Sequence, residues 1–255
     1  MSDAARSDEQ LNMEAAIVQN LKACSARVLA AFQKSPFATV YKEPTRLVAV
    51  SKIKPVSALM EAYNVGHRHF GENYVQEILD KAPQMPDDVA WHFIGHLQSN
   101  KVNNLLKGVP SLFIIETVDT IKLANKINNG CKTVVERDFP LKVMVQVNTS
   151  GETSKSGCEP ADCADVAKHI IANCDALELA GLMTIGSFGE DYEKCFQQLV
   201  ECRENVAADL GVDPVSLELS MGMSGDFETA IAYGSTNVRC GSNIFGARDY
   251  SQTKK

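Results

Sequence analysis

Short apolar segments alternate with stretches of helical periodicity along most of the chain. Eight segments have the length and apolar character of strands buried in a parallel sheet. They are residues 47–51, 69–71, 91–95, 112–115, 143–147, 179–185, 217–219 and 238–240. Between them, apolar positions recur at helical spacing, and several of these stretches end in glycine, which favours the position just after a helix. The repeated strand–helix unit predicts a parallel β-sheet covered by helices.

The beginning of the chain follows a different pattern. Apolar side chains recur at helical spacing at Leu11, Ala15, Val18, Leu21, Val28 and Phe32. This spacing predicts one amphipathic helix within residues 1–35. A loop containing Pro36 and Pro44 separates it from the strand–helix pattern, which we assign to residues 45–250.

Eight strand–helix units are the number that closes a TIM (β/α)8 barrel. A doubly wound open sheet is the alternative, but its first turn would favour a G-x-G-x-x-G sequence, whereas this turn reads SKIKP. No linker rich in proline, glycine or serine divides the chain. We therefore expect one α/β domain over residues 1–255, a TIM barrel with an added N-terminal helix.

Composition and charge narrow the functional classes. The 255 residues are 45% hydrophobic and 22% charged, as in ordinary globular proteins, and the net charge of −7 argues against a nucleic-acid partner. No apolar stretch approaches the length of a membrane span, and the N-terminal residues lack the apolar core of a secretory signal. We expect a cytoplasmic protein, although these features do not separate the cytoplasm from the interior of an organelle.

The eight cysteines and five histidines do not predict a metal site. The sequence has no C-x-x-C pair, and no histidine is spaced from an acid or a cysteine as zinc ligands are. The cysteines are expected to be reduced and to serve as small apolar side chains. We therefore expect no bound metal.

Lys52 is the first candidate for chemistry. In a TIM barrel the active site lies at the carboxyl ends of the strands, and Lys52 directly follows the predicted strand 47–51. An apolar barrel mouth disfavours the ammonium form of lysine and makes the neutral amine available as a nucleophile toward carbonyl groups. Many strand-end lysines are only solvated, but this position indicates Schiff-base chemistry.

The last two predicted strands end in sequences suited to binding phosphate. Ser220, Gly222 and Ser224 follow the seventh strand, and Gly241 and Ser242 follow the eighth. Backbone N–H groups, hydroxyls and a helix N-terminus together suit a dianionic phosphate, and TIM barrels often bind phosphate here. These residues could instead only cap helices. Combined with a Schiff-base lysine, they predict an aldehyde that carries a phosphate, and pyridoxal phosphate (PLP) has both groups.

Seven sequence blocks resemble the pyridoxal phosphate homeostasis protein family, the YggS/PROSC proteins. They are AVSKIKP, FGENYVQE, WHFIGHLQSNK, NTSGETSKSG, GLMTIGSF, LSMGMSGDFETAI and VRCGSNIFGARDY. The resemblance implies a single-domain barrel similar to the N-terminal domain of alanine racemase, with PLP held as an aldimine on the lysine that matches Lys52. It also implies a role in intracellular PLP (vitamin B6) homeostasis and supply, without robust catalysis and with no catalytic residue.

The resemblance assigns roles to further residues. Ser220, Gly241 and Ser242 would hold the phosphate, Asn73 and Met221 would lie beside the cofactor ring, and Arg239 would lie near the pyridine nitrogen. A guanidinium beside that nitrogen disfavours its protonation and weakens the cofactor as an electron sink. Ile53 and Ser242 stand where many relatives have threonine. Ser242 keeps a hydroxyl group, and the change at Ile53 does not alter the roles that the resemblance implies.

Other polar residues are expected near the barrel mouth without a catalytic role. They are His92, His96, Gln98, Asn100 and Lys101 around the third strand, and Glu116 at the end of the fourth. The glycine-containing stretch 148–157 predicts a mobile loop over the same face.

Two alternatives to PLP binding without turnover remain open. A PLP-dependent amino-acid racemase needs a second base, which the racemase family takes from a tyrosine of an additional β domain, and few residues follow the predicted barrel; Tyr74 could replace that tyrosine. An aldolase-like barrel for sugar phosphates generally carries its lysine on a middle strand. We favour a monomeric PLP-binding protein, with PLP-dependent apo-enzymes as candidate partners.

Overall fold

The computed structural model describes residues 8–135, 137–187 and 192–247. Eight parallel strands are hydrogen-bonded in chain order, and the last pairs with the first to close a barrel. The strands are β1 (Arg46–Val50), β2 (His69–Glu72), β3 (Ala90–Phe93), β4 (Leu112–Val118), β5 (Leu141–Gln146), β6 (Leu177–Met183), β7 (Glu218–Met223) and β8 (Asn237–Cys240). The predicted TIM barrel is confirmed.

Helices follow the strands and cover the outside of the barrel. They are α1 (Asp8–Lys34), α2 (Val56–Asn64), α3 (Val75–Lys81), α4 (Val102–Gly108), α5 (Ile121–Thr133), α6 (Cys163–Asn173), α7 (Tyr192–Leu210), α8 (Phe227–Ala232) and α9 (Ser242–Phe245). The main apolar core lies between strands and helices, because both surfaces bury their apolar side chains there. A smaller cluster of Ile114, Met144, Ala180 and Met183 is separate from it.

The predicted N-terminal helix is present as α1, which packs against α2, α8 and α9. Its buried apolar face consists of Ile17, Leu21, Cys24, Val28 and Phe32. The prediction of that face was partly wrong, since Ala15 is exposed and Val18 is half-buried; the side chain of Leu11 lies outside the described residues. Among the described side chains, the buried apolar face of α1 begins at Ile17.

Two strands extend further than the apolar pattern predicted. β4 continues to Val118 and β7 continues to Met223. Glu116 and Ser220 therefore lie inside strands instead of after them, and both are fully buried. In the sequence, a polar residue after an apolar run indicates the end of a strand. Inside a barrel, however, a strand can continue through a buried polar residue if that residue has hydrogen-bond partners.

Three further observations concern the cysteines, metal binding and membrane-spanning helices. All eight cysteines are free thiols and all are buried. Among the described residues, no group of three or more potential metal-ligating side chains comes together. Within the same residues, no helix combines the length and the apolar character that crossing a membrane requires.

Candidate functional site

A cavity of about 560 Å³ opens at the carboxyl ends of the strands. Five of the seven predicted site residues line it: Lys52, Asn73, Arg239, Gly241 and Ser242. The remaining lining residues are Val50, Ile94, Met183, Ile185, Ser187, Tyr192, Met223, Ser224, Gly225 and Asp226. Residues far apart in the chain meet here because β1, β7 and β8 are neighbours at the closure of the barrel.

Lys52 enters the cavity from a sharp turn after β1. Ile53, the next residue, has a φ of 64° and is the one non-glycine residue of the described chain with a left-handed backbone. Lys54 points elsewhere, since its Nζ donates to the carbonyl oxygens of Phe245 at 2.8 Å and Ala247 at 2.9 Å. The turn therefore directs two nearby lysines to different parts of the molecule.

The loops after β7 and β8 meet at Ser224. Its Oγ accepts hydrogen bonds from the backbone N–H of Gly241 at 3.2 Å and of Asn243 at 3.4 Å. A Cβ at Gly241 would lie 3.2 Å from the carbonyl oxygen of Val50, so this position packs closely against the end of β1. A Cβ at Gly225 would meet nothing within 4 Å, which leaves open space beside that backbone. Hydroxyls and backbone N–H groups are thus concentrated on one side of the cavity.

Ser220 and Met221 do not line the cavity, contrary to their predicted roles. Both lie within β7, which ends only at Met223. Met221 is fully buried in the main core. Met223 instead lines the cavity, where Met221 was predicted to lie. Ser224, which the sequence grouped with Ser220 as a candidate for binding phosphate or capping a helix, lines the cavity.

Ser220 instead holds Arg239. The Arg239 guanidinium donates through Nη1 to Ser220 Oγ at 2.6 Å and through Nη2 to the carbonyl oxygen of Thr184 at 2.7 Å. Ser220 Oγ in turn donates to Glu116 Oε2 at 2.5 Å. Arg239 is only 4% exposed, so these bonds fix its orientation at the floor of the cavity.

Glu116 is the centre of a polar network inside the barrel. Its Oε1 lies 2.6 Å from His92 Nδ1 and 2.8 Å from Asn237 Nδ2, and His92 Nε2 lies 3.0 Å from His69 Nδ1. The bonds from β4 to β7 and β8 cross the barrel interior. Burial raises the pKa of Glu116, but His92 and the charge of Arg239 outweigh it and bring this pKa to about 2. Glu116 is therefore a buried negative charge that balances Arg239.

Two residues that line the cavity each carry a buried polar atom without a hydrogen-bond partner. Asn73 Oδ1 and Ser187 Oγ have no hydrogen-bond partner among the described residues. Buried polar atoms are rarely left unpaired unless they serve a ligand or an ordered water. With an amine at Lys52, a guanidinium at Arg239 and donors around Ser224, the cavity fits a small aromatic aldehyde that carries a phosphate.

Comparison with known proteins agrees with this cavity. Residues 36–249 match the family described as alanine racemase, N-terminal domain. The bovine protein named pyridoxal phosphate homeostasis protein is 52% identical over 243 residues, which cover 91% of this chain and 87% of the bovine protein. The human protein of the same name is 50% identical, over 91% of this chain and 86% of its own length.

The chain belongs to the pyridoxal phosphate homeostasis protein family. The resemblance inferred from the seven sequence blocks is therefore confirmed. A solved structure of PipY from Synechococcus elongatus, with PLP bound, matches this chain with a TM-score of 0.72 and 29% identity. The match covers 90% of this chain and 100% of the PipY chain.

The third-strand residues of this family member lie apart from the main cavity. His96, Gln98 and Lys101 line a separate cavity of about 270 Å³ together with Tyr74, which is 57% exposed. The tyrosine on the wall of the main cavity is Tyr192, at the start of α7. Its position was missed because it follows a polar stretch with no strand signal.

The stretch 148–157 lies over the face predicted for it. Lys155 Nζ donates to the carbonyl oxygen of Gly186 at 2.7 Å, and Ser156 Oγ lies 3.4 Å from His96 Nδ1. Asn148 is itself held by the carbonyl oxygen of Glu152 at 3.1 Å. The loop that follows β5 therefore contacts residues after β3 and after β6.

Proposed function

We propose that this protein binds PLP in the main cavity and serves its intracellular homeostasis and supply, without robust catalysis. The observation that carries the proposal is that Lys52, Arg239 and the Ser224 loop line the same cavity at the barrel closure. The name of the curated relatives and the PLP-bound PipY structure support the same ligand. When bound, PLP supplies an aldehyde that condenses with a lysine amine and releases water.

Each residue would have a defined task. Lys52 would provide the amine, and the backbone and hydroxyls of Ser224, Gly225, Gly241 and Ser242 would hold the phosphate. These residues replace Ser220 in the phosphate site.

The remaining residues would hold the ring. Asn73, with its unpartnered Oδ1, would lie beside it, and Met223 would pack against it in place of Met221. Arg239 would face the ring nitrogen with its orientation fixed by Ser220. A guanidinium there disfavours protonation of the nitrogen, which is the physical reason to expect weak turnover.

A second candidate function is amino-acid racemisation. It is favoured by Tyr192, which lines the same cavity as Lys52 and replaces Tyr74 as the candidate second base. The family description that matches the chain is that of a racemase domain. We rank it second because Arg239 would weaken the electron sink that removal of an α-proton requires.

The wider setting is part of the same proposal. We propose a monomer that works in the cytoplasm and passes PLP to PLP-dependent apo-enzymes. Eight buried free thiols support a reducing compartment. The cavity is built from one chain, with Lys52 and Arg239 on the same barrel, so no second copy is needed to complete it.

The test is to locate PLP on the chain. The purified protein is mixed with PLP, its visible absorption is recorded, and the mixture is reduced with borohydride and mapped by peptide mass. We expect a yellow protein with the pyridoxyl group on Lys52, none on Lys52→Ala, and full labelling of Lys107→Ala, an exposed lysine on α4. A colourless wild-type protein, or labelling that Lys52→Ala leaves unchanged, would refute the proposal.

The same samples separate the two candidate functions. Wild-type protein is incubated with L-alanine in deuterated buffer, and the product is analysed for deuterium and for D-alanine. PLP binding without turnover predicts neither. Steady formation of deuterated D-alanine that Tyr192→Phe slows would instead establish the racemase.

A further inference from the structure

The backbone beside Lys52 has a conformation that its own sequence does not favour. A β-branched residue such as Ile53 rarely adopts a φ of 64°, because its branched side chain crowds the backbone. Such strain persists only where the surrounding structure holds it, and it is most frequent at functional sites. The groups that hold Ile53 therefore bear on how Lys52 is presented.

Both peptide groups next to Lys52 are hydrogen-bonded by side chains of α3. Before Lys52, the Ser51 carbonyl oxygen accepts from Lys81 Nζ at 2.8 Å. After Lys52, the Ile53 backbone N–H donates to Glu77 Oε1 at 2.5 Å. Each bond restrains one of the two peptide planes from which the Lys52 side chain projects.

Lys81 connects these bonds into one cluster. Its Nζ also donates to Glu72 Oε1 at 2.7 Å and to Glu77 Oε1 at 2.9 Å. Ser51 Oγ donates to the same Glu72 oxygen at 2.6 Å. An ammonium group has three N–H donors, and those of Lys81 have three acceptors: one backbone carbonyl and two carboxylates. We call Glu72, Glu77 and Lys81 the clamp.

The clamp is largely buried and lies outside the cavity. The side chains of Lys81 and Glu72 are 8% and 0% exposed, and that of Glu77 is 22% exposed. None of the three lines the main cavity. Burial raises the pKa of Glu72 to about 7, although the charge of Lys81 acts in the opposite direction. Since a buried ion cluster is a poor source of stability, it calls for another role.

We propose that Lys81 is a positioning residue for Lys52: through Glu77 and the Ser51 carbonyl, the clamp keeps Ile53 left-handed and directs the Lys52 amine into the cavity. The inference rests on the proposed function of Lys52. It goes beyond that function, because it states that residues outside the cavity control how fast Lys52 reacts with PLP. Without the clamp, Ile53 relaxes to an ordinary conformation and the lysine leaves its position.

Glu77 is the best position for the test, because it is partly exposed and a leucine there is tolerated more easily than at Glu72. Glu77→Leu removes the acceptor of the Ile53 N–H, whereas Glu77→Gln keeps an oxygen in that place. We expect Glu77→Leu to slow PLP labelling of Lys52 about tenfold, with Glu77→Gln close to wild type. Lys81→Met should act like Glu77→Leu.

A second substitution separates positioning from general damage. Glycine adopts a left-handed backbone without cost. Ile53→Gly should therefore restore much of the labelling rate in the Glu77→Leu protein. Mere destabilisation of the barrel predicts no such rescue, because glycine adds flexibility. Lys168→Met serves as the matched control, since it removes the exposed ion pairs of Lys168 with Asp165 and Asp209 on the far side of the barrel.

Amide hydrogen exchange of the protein without PLP tests the clamp independently of the cofactor. We expect residues 51–53 to exchange faster in Glu77→Leu than in wild type, Glu77→Gln or Lys168→Met. Labelling of Lys52 in Glu77→Leu and Lys81→Met at the wild-type rate would overturn the positioning role and leave the proposed function intact. A wild-type protein that is never labelled on Lys52 would overturn both.

Discussion

Glu116 shows how one side chain allows a guanidinium to lie in the centre of a barrel. A buried arginine is costly unless a counter-charge and hydrogen bonds are close. Glu116 supplies the charge. Ser220 bridges Glu116 and Arg239 through hydrogen bonds of 2.5 Å and 2.6 Å. The serine predicted to bind phosphate thus fixes the arginine proposed to face the ring nitrogen.

The network makes stability depend on pH through Glu116. Its pKa falls from 4.5 to about 2 on folding, so it stabilises the protein above pH 4.5, and this is lost as the pH falls toward 2. We expect Glu116→Gln to lower the free energy of unfolding at neutral pH. We also expect it to remove roughly 3 kcal/mol of the loss that wild type undergoes on acidification.

Urea unfolding at several pH values between 2 and 7 measures this effect. Glu178→Gln is the control, because Glu178 is a carboxylate of β6 that is 50% exposed. It should keep the acid dependence of wild type. If Glu116→Gln lost as much stability as wild type between pH 5 and pH 2, the charge of Glu116 would not be the source.

At the scale of the element, α1 is attached to the barrel by two kinds of contact. Leu21 is 3% exposed within its apolar face, whereas Arg27 forms an exposed bidentate pair with Glu228 of α8 at 3.0 Å. We expect Leu21→Ala to cost 2–5 kcal/mol or so, as buried leucines do. Arg27→Met should cost less than about 1 kcal/mol.

Thermal unfolding of both variants checks the order of these costs. α1 also holds α9, since Asn20 Nδ2 donates to the Ile244 carbonyl oxygen at 3.3 Å, and α9 begins with the cavity residue Ser242. Leu21→Ala should therefore weaken PLP binding as well, and Arg27→Met should not. A larger loss of stability in Arg27→Met would mean that the exposed ion pair, and not the apolar face, attaches the helix.

The sequence was sufficient for elements whose signal is local. Each of the eight strands carries its own apolar run, so their order and the closed barrel were predictable. The end of β7 was not, because Ser220 and Gly222 are polar or small yet lie within the strand. The clamp was not predictable either. Lys81, in the last turn of α3, has the sequence of a solvated lysine, and only the fold brings it to Ser51.

At the scale of the whole molecule, the cavity lies where the barrel closes. Val50 of β1, Met223 of β7 and Arg239 of β8 all line it. A molecule bound there would contact the first strand and the last two, so we expect it to strengthen the pairing of β1 with β8 that closes the barrel. The net charge of −7 repels a dianion at long range, so its affinity must come from the local donors.

This location predicts how ligands stabilise the fold. A ligand at a hundred times its Kd adds nearly 3 kcal/mol, which raises the Tm of a domain of this size by roughly 5–10 °C. PLP should produce this shift in wild type, and inorganic phosphate a smaller one. Lys52→Ala should keep the response to phosphate but lose the excess due to PLP, because the donors around Ser224 and Gly241 remain. Differential scanning calorimetry gives the shifts, and hydrogen exchange should slow most in β1 and β8. Equal responses of Lys52→Ala and wild type to PLP would show that the phosphate loop alone accounts for binding.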